Sequence, residues 1–250
     1  MIRGEEGFFV CFAKDTVNKG GSQGTVGSLE EGPREPPFAN KDELQQAIHL
    51  YIQTHGIDCP YGPIGTWDVS NITDMSYLFE MCDTFNEPLD TWNVSNVTNM
   101  RGMFYDCRAF NQPLEAWDVS RVTVMEGMFM QCREFNQPLA AWNVSNVNNT
   151  ANMFYECTVF DQPLETWNVS NVVNMTYMFY RCHAFNQPLA DWNVANAVYM
   201  WSMFHVCPAF QHNLFAWTLK NPHIPHPHGL FSTVDQQRRC FEEPHDYLLK

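Results

Sequence analysis

Apolar and polar positions recur along the middle of the chain with a period of 25 residues. Tryptophan marks the period without a slip, at Trp67, Trp92, Trp117, Trp142, Trp167, Trp192 and Trp217. The residues between successive tryptophans repeat almost as closely, which defines six repeats. A fixed period of this length is typical of a solenoid, in which each coil buries its apolar face against the next coil.

Within one repeat, the hydrophobic pattern changes its period. In the second repeat, residues 92–99 are β-branched and polar, which predicts a short strand with a turn. Apolar residues then fall at i, i+3, i+4 and i+7 over residues 100–107, which predicts a short helix capped by Asn99. Residues 110–114 contain a proline and predict an extended return. The pattern therefore predicts an α/β repeat, a solenoid of six coils that each contain a short strand, a short helix and an extended return.

A helix is predicted directly before the first repeat. Asn40 followed by Glu43 matches an N-cap with its reciprocal partner, apolar residues at helical spacing follow, and Gly56 stands where a helix usually ends. We expect this amphipathic helix, over residues 41–54, to cover the first coil, because the terminal coil of a solenoid has one side without a neighbour.

The predicted organisation of the chain has four parts. Residues 1–37 carry seven of the 13 glycines and a proline-rich end, which predicts a flexible tail. An N-terminal capping helix follows in residues 38–60, and the repeat solenoid occupies residues 61–217. Residues 218–250 are predicted to form a C-terminal cap or tail.

The charge of the chain narrows the kinds of partner. The formal net charge is −14, and between Trp67 and Trp217 there are 15 acidic residues against 5 arginines and no lysine. An acidic surface repels phosphate backbones, so nucleic acid is not an expected partner.

No run approaches the roughly 20 apolar residues that a membrane-spanning helix needs. The apolar residues 8–13 follow two glutamates where a signal peptide carries positive charge, which favours an intracellular protein.

The repeat unit resembles a known family. Its consensus, W-[ND]-V-S-N-V-[TV]-x-M-x-x-M-F-x-x-C-x-x-F-[ND]-Q-P-L, is similar to the BspA-like leucine-rich repeats of bacterial surface proteins and mycoplasma lipoproteins, which also occur in protists and large viruses. The first residues of the array, 61–70, resemble the way such arrays begin, and the resemblance covers roughly residues 38–217. It implies a leucine-rich-repeat-like solenoid that acts in adhesion or protein binding, and it implies no catalytic residues. The chain departs from the family in having no signal peptide or lipoprotein-type cysteine near residue 20.

Six of the nine cysteines occupy one position of the repeat, at Cys82, Cys107, Cys132, Cys157, Cys182 and Cys207. Neighbours in this column would have Cα atoms about 5 Å apart, a spacing that a disulfide tolerates. The column nevertheless points into the predicted core beside methionine and phenylalanine, so free buried thiols that act as small apolar side chains are the favoured interpretation. No second column of ligands accompanies the thiols, which argues against a metal.

Catalytic chemistry has little support in the sequence. His223, His226 and His228 could present imidazoles to a transition metal, but the prolines between them enforce no common face, and a solvated tail is the alternative. The sequence has no glycine-rich phosphate loop, no His-Glu-x-x-His motif and no nucleophile elbow. We therefore expect neither an enzyme nor a cofactor.

Positions that vary between repeats indicate where a partner could bind, because the core positions are fixed by packing. Each predicted helix contains the sequence Met-Phe-x-x-Cys, and the residue after its phenylalanine points away from the core. This residue is often large and amphipathic, as in protein interfaces. The alternative is that each tyrosine simply lies over the neighbouring coil. The candidate residues for binding a protein partner are Tyr105, Met130, Tyr155, Tyr177, Tyr180, Tyr199, Trp201, Arg108 and Arg133.

The sequence thus predicts a non-enzymatic protein-interaction or structural module, which acts as a scaffold, an adhesin or a subunit of a larger assembly, with other proteins as partners. Two alternatives remain at this point. One is a carbohydrate-binding solenoid that uses tyrosine and tryptophan rings as sugar platforms. The other is a metal-binding accessory protein that uses the histidine-rich tail.

Overall fold

The computed structural model of the chain describes residues 37–221 and 229–241. Three short helices lie within these residues: α1 at Lys41–Gln53, α2 at Phe215–Lys220 and α3 at Val234–Phe241. A 3-10 turn, Ile64–Thr66, leads into the first repeat. The predicted tail before Pro37 and the three histidines proposed as metal ligands lie outside the described residues.

The predicted α/β, leucine-rich-repeat-like solenoid of strands and helices is wrong. The described part of the chain contains no strand and no sheet, and no helix lies between the 3-10 turn and α2. Consecutive repeats are instead joined by isolated parallel bridges, one per pair of neighbours, such as Asp74 with Asn99 and Asn149 with Asn174. Each repeat is a succession of turns, and successive repeats stack in register.

The segment that was predicted as a helix shows why the prediction fails. In an α-helix every backbone N–H donates to the carbonyl four residues back. Here Gly102 and Phe104 donate to carbonyls of the next repeat at 2.8 and 2.9 Å, whereas Met103 donates three residues back to Met100 at 3.2 Å. Alternate backbone amides therefore donate to the neighbouring repeat, and the segment cannot form the hydrogen bonds of an α-helix.

Two positions of this segment also have left-handed backbone in the repeats. The first position holds Tyr77, Gly102, Gly127, Asn152, Tyr177 and Ser202, and the second, four residues later, holds Met81, Asp106, Gln131, Glu156, Arg181 and Val206. Their φ angles lie between 52° and 64°. A left-handed residue ends an α-helix, so two of them within five residues exclude one. The predicted cap Asn99 accepts instead from Arg101 N, two residues on, at 3.1 Å.

Aromatic side chains form the centre of the stack. The rings of Phe104 and Phe129 lie 5.7 Å apart and nearly parallel, and a second row repeats this at 6.0 Å between Phe110 and Phe135. The tryptophans from Trp142 to Trp217 form a third row on the same period. From Trp117 onward, each tryptophan of the 25-residue period also donates its indole N–H to the leucine carbonyl 28 residues earlier, for example Trp142 to Leu114 O at 2.9 Å. Trp92 donates in the same way to Ile64 O. The buried rings thus have no unsatisfied donor.

The cysteine column is free and buried, as predicted. Each thiol from Cys107 to Cys207 donates to a phenylalanine carbonyl of the preceding repeat, at distances from 2.7 to 3.0 Å. The thiols therefore fill space in the apolar core and also hydrogen-bond one repeat to the next. We call such repeated hydrogen bonds between neighbouring repeats rungs.

Polar side chains form further rungs. Asn111 Oδ1 accepts from the backbone N–H of Asn136 at 2.9 Å and from the Gln137 amide at 3.0 Å. On another edge, Asn146 Nδ2 donates to Ser120 O at 2.7 Å. Most of these contacts recur in neighbouring repeats, so a shift of register by even one residue would break several rows at once.

Both ends of the stack are covered. At the N-terminal end, Asn40 caps α1 by accepting from Glu43 N at 3.0 Å, and Tyr51 of α1 packs edge-on against Trp67 at 5.8 Å. At the other end, Phe231 extends the phenylalanine row from Phe204 at 5.4 Å, in the place that a seventh repeat would fill. The covering helix α3 then closes this end, where its Cys240 carbonyl accepts from Leu214 N.

Candidate interaction surface

A row of stacked rings lies along one face of the last repeats. Tyr155 and Tyr180 stack in parallel at 4.6 Å, and His205 continues the stack from Tyr180 at 5.3 Å. Tyr177 packs edge-on against Tyr180 at 5.6 Å. We call these four residues the aromatic row. Their contacts with one another fix the rings in place.

Exposed apolar side chains occur beside the aromatic row in the last two repeats. Tyr199 and Trp201 are 52% and 53% exposed, and Val198 is 57% exposed. Together with Val173 they form what we call the apolar patch. The same positions in the first three repeats hold mostly polar residues, such as Thr98 at the position of Val173. The change from polar to apolar is therefore confined to one end of the stack.

Four of the five arginines of the array pair with carboxylates of the chain itself. Arg108 binds Asp106 through two hydrogen bonds of 2.8 and 3.0 Å. Arg133 and Arg181 both lie on Glu156, at 3.6 and 2.9 Å. Arg108 and Arg133, which the sequence predicted as binding residues for a protein partner, already have carboxylate partners within the chain.

A shallow depression of about 240 Å³ lies on the first repeats of the same face. We call it the notch. Its floor is formed by Gly102 and Gly127, because these two repeats have no side chain where Tyr77 and Tyr177 stand in others. The side chains that surround it include Tyr77, Glu80, Arg101, Tyr105, Glu126 and Met130.

The electrostatics of the notch are set by carboxylates. Burial raises the pKa of Glu80 above its usual value. Burial, together with the charges of Asp106 and Glu80, raises the pKa of Tyr105. Arg101 pairs with Glu126 at 2.8 Å, and its guanidinium lies 5.9 Å from the centre of the Tyr77 ring. None of the ion pairs among residues 37–221 and 229–241 includes Glu80.

Among the described residues, the structure shows no metal site and no helix that could span a membrane. Within them, no three histidine, cysteine or carboxylate side chains are grouped so as to hold a metal ion. Burial raises the pKa of Cys207 to about 12, so this thiol stays protonated at neutral pH and is a poor nucleophile. No helix in this part of the chain has the length and apolar character that a bilayer crossing requires.

The structure brings the predicted binding residues to two places. Tyr155, Tyr177 and Tyr180 lie in the aromatic row with Tyr199 and Trp201 beside it, whereas Tyr105 and Met130 line the notch. Sequence reasoning missed Tyr77 and the two glycines of the notch floor, and it missed the valines of the apolar patch. Comparing each position across the six repeats could have found the valines, because they replace threonine or asparagine.

Comparison with known proteins identifies a matching family model. A family model described as "Mycoplasma protein of unknown function, DUF285" matches residues 53–162 and 139–236, which together span well over half of the chain. The two matched ranges overlap within the repeats, as expected when a model of several repeats fits a longer array in two registers. No curated protein and no solved structure matches the chain. The chain belongs to the repeat family DUF285 of mycoplasma-type proteins of unknown function.

Proposed function

We propose that this chain is a non-enzymatic protein-interaction module, a scaffold, adhesin or subunit of a larger assembly, and that its partner docks on the apolar patch and the aromatic row. The observation that carries the proposal is the exposure of Val198, Tyr199 and Trp201 at positions where the first three repeats are mostly polar. The first three repeats stack with mostly polar residues at these positions. The Trp201 ring also lies over Gly229, yet about half of it stays exposed.

The surface has the composition that protein interfaces favour. Aromatic residues are enriched at interface centres, where they bury a large area and lose few rotatable bonds. In the aromatic row, Tyr180 is already held between Tyr155 and His205. Binding would therefore order little that is not ordered beforehand, which lowers the entropic cost of association.

The charge of the array favours a basic partner. The 15 acidic residues between Trp67 and Trp217 outnumber the 5 arginines, and four of these arginines are paired with carboxylates of the chain itself. The excess negative charge would steer a positively charged protein toward the stack and raise its rate of association.

We further propose that the match to the DUF285 family reflects a BspA-like protein. The support is the repeat unit itself, with its Trp-x-Val-Ser-Asn-Val opening and Asn-Gln-Pro-Leu close. A BspA-like relationship would make adhesion the first role to test among those proposed.

A carbohydrate-binding role is the less favoured reading of the same aromatic residues. A sugar ring stacks on the open face of an aromatic side chain, but Tyr155 and Tyr180 cover each other's faces at 4.6 Å. Binding to a glycan array that is lost on Tyr155→Ala and Tyr180→Ala substitution would favour this alternative over protein binding.

The test of the proposal replaces two patch residues by those of the preceding repeat. Tyr199→Asn with Trp201→Thr restores the residues of Asn174 and Thr176 at the same positions. We expect proteins cross-linked to the chain in its native source to fall about tenfold in recovery, as for loss of interface hot spots.

The matched control is Ile57→Thr, which makes the same apolar-to-polar change at a residue 68% exposed outside the patch. It should leave recovery unchanged, and thermal melting should show that both proteins are folded. Equal recovery of cross-linked proteins from the folded double variant and the wild type would contradict the proposal.

A further inference from the structure

The notch combines features that a cationic side chain requires. Its space exists because Gly102 and Gly127 occupy a position that carries a side chain in the other repeats. A Cβ atom on Gly127 would meet only Met130 Cβ, at 3.8 Å, so the floor is open there. A Cβ atom on Gly102 would lie 2.4 Å from the Tyr77 ring, so this ring leans over the floor and forms one wall.

The two carboxylates of the notch differ in their partners. Glu126 is matched by Arg101 at 2.8 Å and also accepts from Asn149 Nδ2 at 2.9 Å. Glu80 forms no ion pair with another described residue, although burial has already removed part of its water. A partly desolvated carboxylate without a counter-ion is stabilised by an incoming cation.

The other walls suit the stem of a lysine. Tyr77, Tyr105 and Met130 offer two aromatic rings and a thioether, surfaces against which a chain of methylene groups packs. An ammonium near the face of a tyrosine gains a cation–π attraction in addition. The guanidinium of Arg101 also lines the notch, where it is paired with Glu126.

We propose that the notch receives a lysine side chain of a partner protein, with the ammonium on Glu80 and the stem against Met130. This inference rests on the proposed function for the source of the lysine, but the binding chemistry of the notch is independent of it. The excess of carboxylates in the array is the charge complementarity that favours such a partner.

A small probe tests the notch without the partner. The protein is labelled with ¹³C at its methionine methyl groups and titrated with Nα-acetyl-lysine methylamide, while the Met130 methyl signal is followed. Nα-acetyl-norleucine methylamide is the control ligand, because its side chain has the same four carbons as lysine but carries no charge. We expect a saturable shift of the Met130 signal with the lysine probe only.

Two substitutions locate the interaction. Glu80→Gln keeps the shape of the wall and should weaken binding of the lysine probe about fivefold through loss of the charge. Gly127→Asn should abolish binding by filling the floor, and it should fold because Asn152 occupies the same position with the same left-handed backbone. Glu115→Gln removes an exposed carboxylate elsewhere and should change nothing.

The outcomes separate this inference from the proposed function. No saturable shift at Met130, an equal shift with the norleucine probe, or unchanged binding in folded Glu80→Gln protein would overturn the lysine site. Each of these would leave the test on Tyr199 and Trp201 unaffected, because that test reports on the other end of the stack.

Discussion

Trp142, in the middle of the array, contacts two neighbouring repeats at once. The Trp142 ring stacks on Trp167 at 6.5 Å, while its N–H reaches back to Leu114 O at 2.9 Å. The same carbonyl also accepts from Trp117 N at 3.0 Å. One side chain thus supplies apolar burial to one neighbour and a hydrogen bond to the other.

Truncation of this residue should separate the two contributions. We expect Trp142→Ala to lower the free energy of unfolding by about 3–5 kcal/mol, because it removes a buried ring and leaves a cavity. Trp142→Phe keeps an aromatic ring and removes the N–H, so its cost should include about 1 kcal/mol for the lost hydrogen bond. Urea unfolding measures both, and a loss below about 1 kcal/mol in the alanine variant would show that the tryptophan is not buried.

The buried thiols should make the protein sensitive to alkali. Burial raises the pKa of Cys132, Cys157 and Cys182 in the folded state, whereas an unfolded thiol ionises near pH 8.5. Below that pH both states hold the proton and the stability is complete. Above it the unfolded state alone loses the proton, so stability falls by about 1.4 kcal/mol per pH unit for each such thiol.

Urea unfolding in reducing buffer between about pH 8.5 and 10 measures this slope, and because tyrosine ionises near pH 10 in both proteins, the contribution of one thiol is taken from the difference between a variant and the wild type. Cys157→Ala removes one thiol and should reduce the slope by about 1.4 kcal/mol per pH unit. The same slope in the variant and the wild type would contradict the assigned burial of this thiol.

The turn segments show what a hydrophobic pattern specifies and what it leaves open. Met100, Met103, Phe104 and Cys107 are all fully buried, as their helical spacing predicts. Their backbone is nevertheless not helical, because alternate amides bond to the next repeat. A period within one repeat fixes which side chains face the core, but it cannot show that the amides have partners 24 residues away.

By contrast, α1 could be predicted almost to its ends. Its signals are local, since Asn40 caps the helix through Glu43 N and the chain leaves the helix before Gly56 at a φ of 71°. It runs over Lys41–Gln53, against a predicted 41–54. Structure that depends on residues close in sequence can be predicted from the sequence. The turns of the repeats depend instead on hydrogen bonds to other repeats.

The left-handed positions can be tested with two glycines. Both Gly102 and Gly127 have positive φ, so alanine at either should cost about 1 kcal/mol in backbone strain. At Gly127 the strain should be the whole cost, because the space above it is open. At Gly102 the new Cβ atom would also clash with the Tyr77 ring, so Gly102→Ala should cost clearly more.

A double-mutant cycle isolates the clash. Tyr77→Ala should remove the extra cost of Gly102→Ala and leave the cost of Gly127→Ala unchanged, as measured by urea unfolding. Equal costs at the two glycines in the wild-type background would mean that the Tyr77 ring does not lie over Gly102.

At the scale of the whole molecule, the 25-residue period distinguishes positions that hold the stack together from positions that are free to form a binding surface. Positions that keep their residue through all repeats make the rungs, as the tryptophans and cysteines do. The candidate interaction surface lies where the period is broken, at the glycines of the notch and at Tyr199 and Trp201. Sequence comparison between repeats could locate such positions, but the pairing of Arg108 and Arg133 with neighbouring carboxylates depends on side-chain geometry that the sequence does not contain.

Removal of one whole repeat tests the stacking directly. If the repeats are held by rungs to their immediate neighbours, deletion of residues 117–141 keeps the register, and Trp142 takes the place of Trp117 against Leu89 O. Deletion of residues 117–128 removes about half a repeat and misaligns every row beyond it. Near-ultraviolet circular dichroism with urea unfolding should show a folded, cooperatively unfolding protein for the first deletion and none for the second. Failure of the in-register deletion to fold, or equal folding of both deletions, would contradict the account.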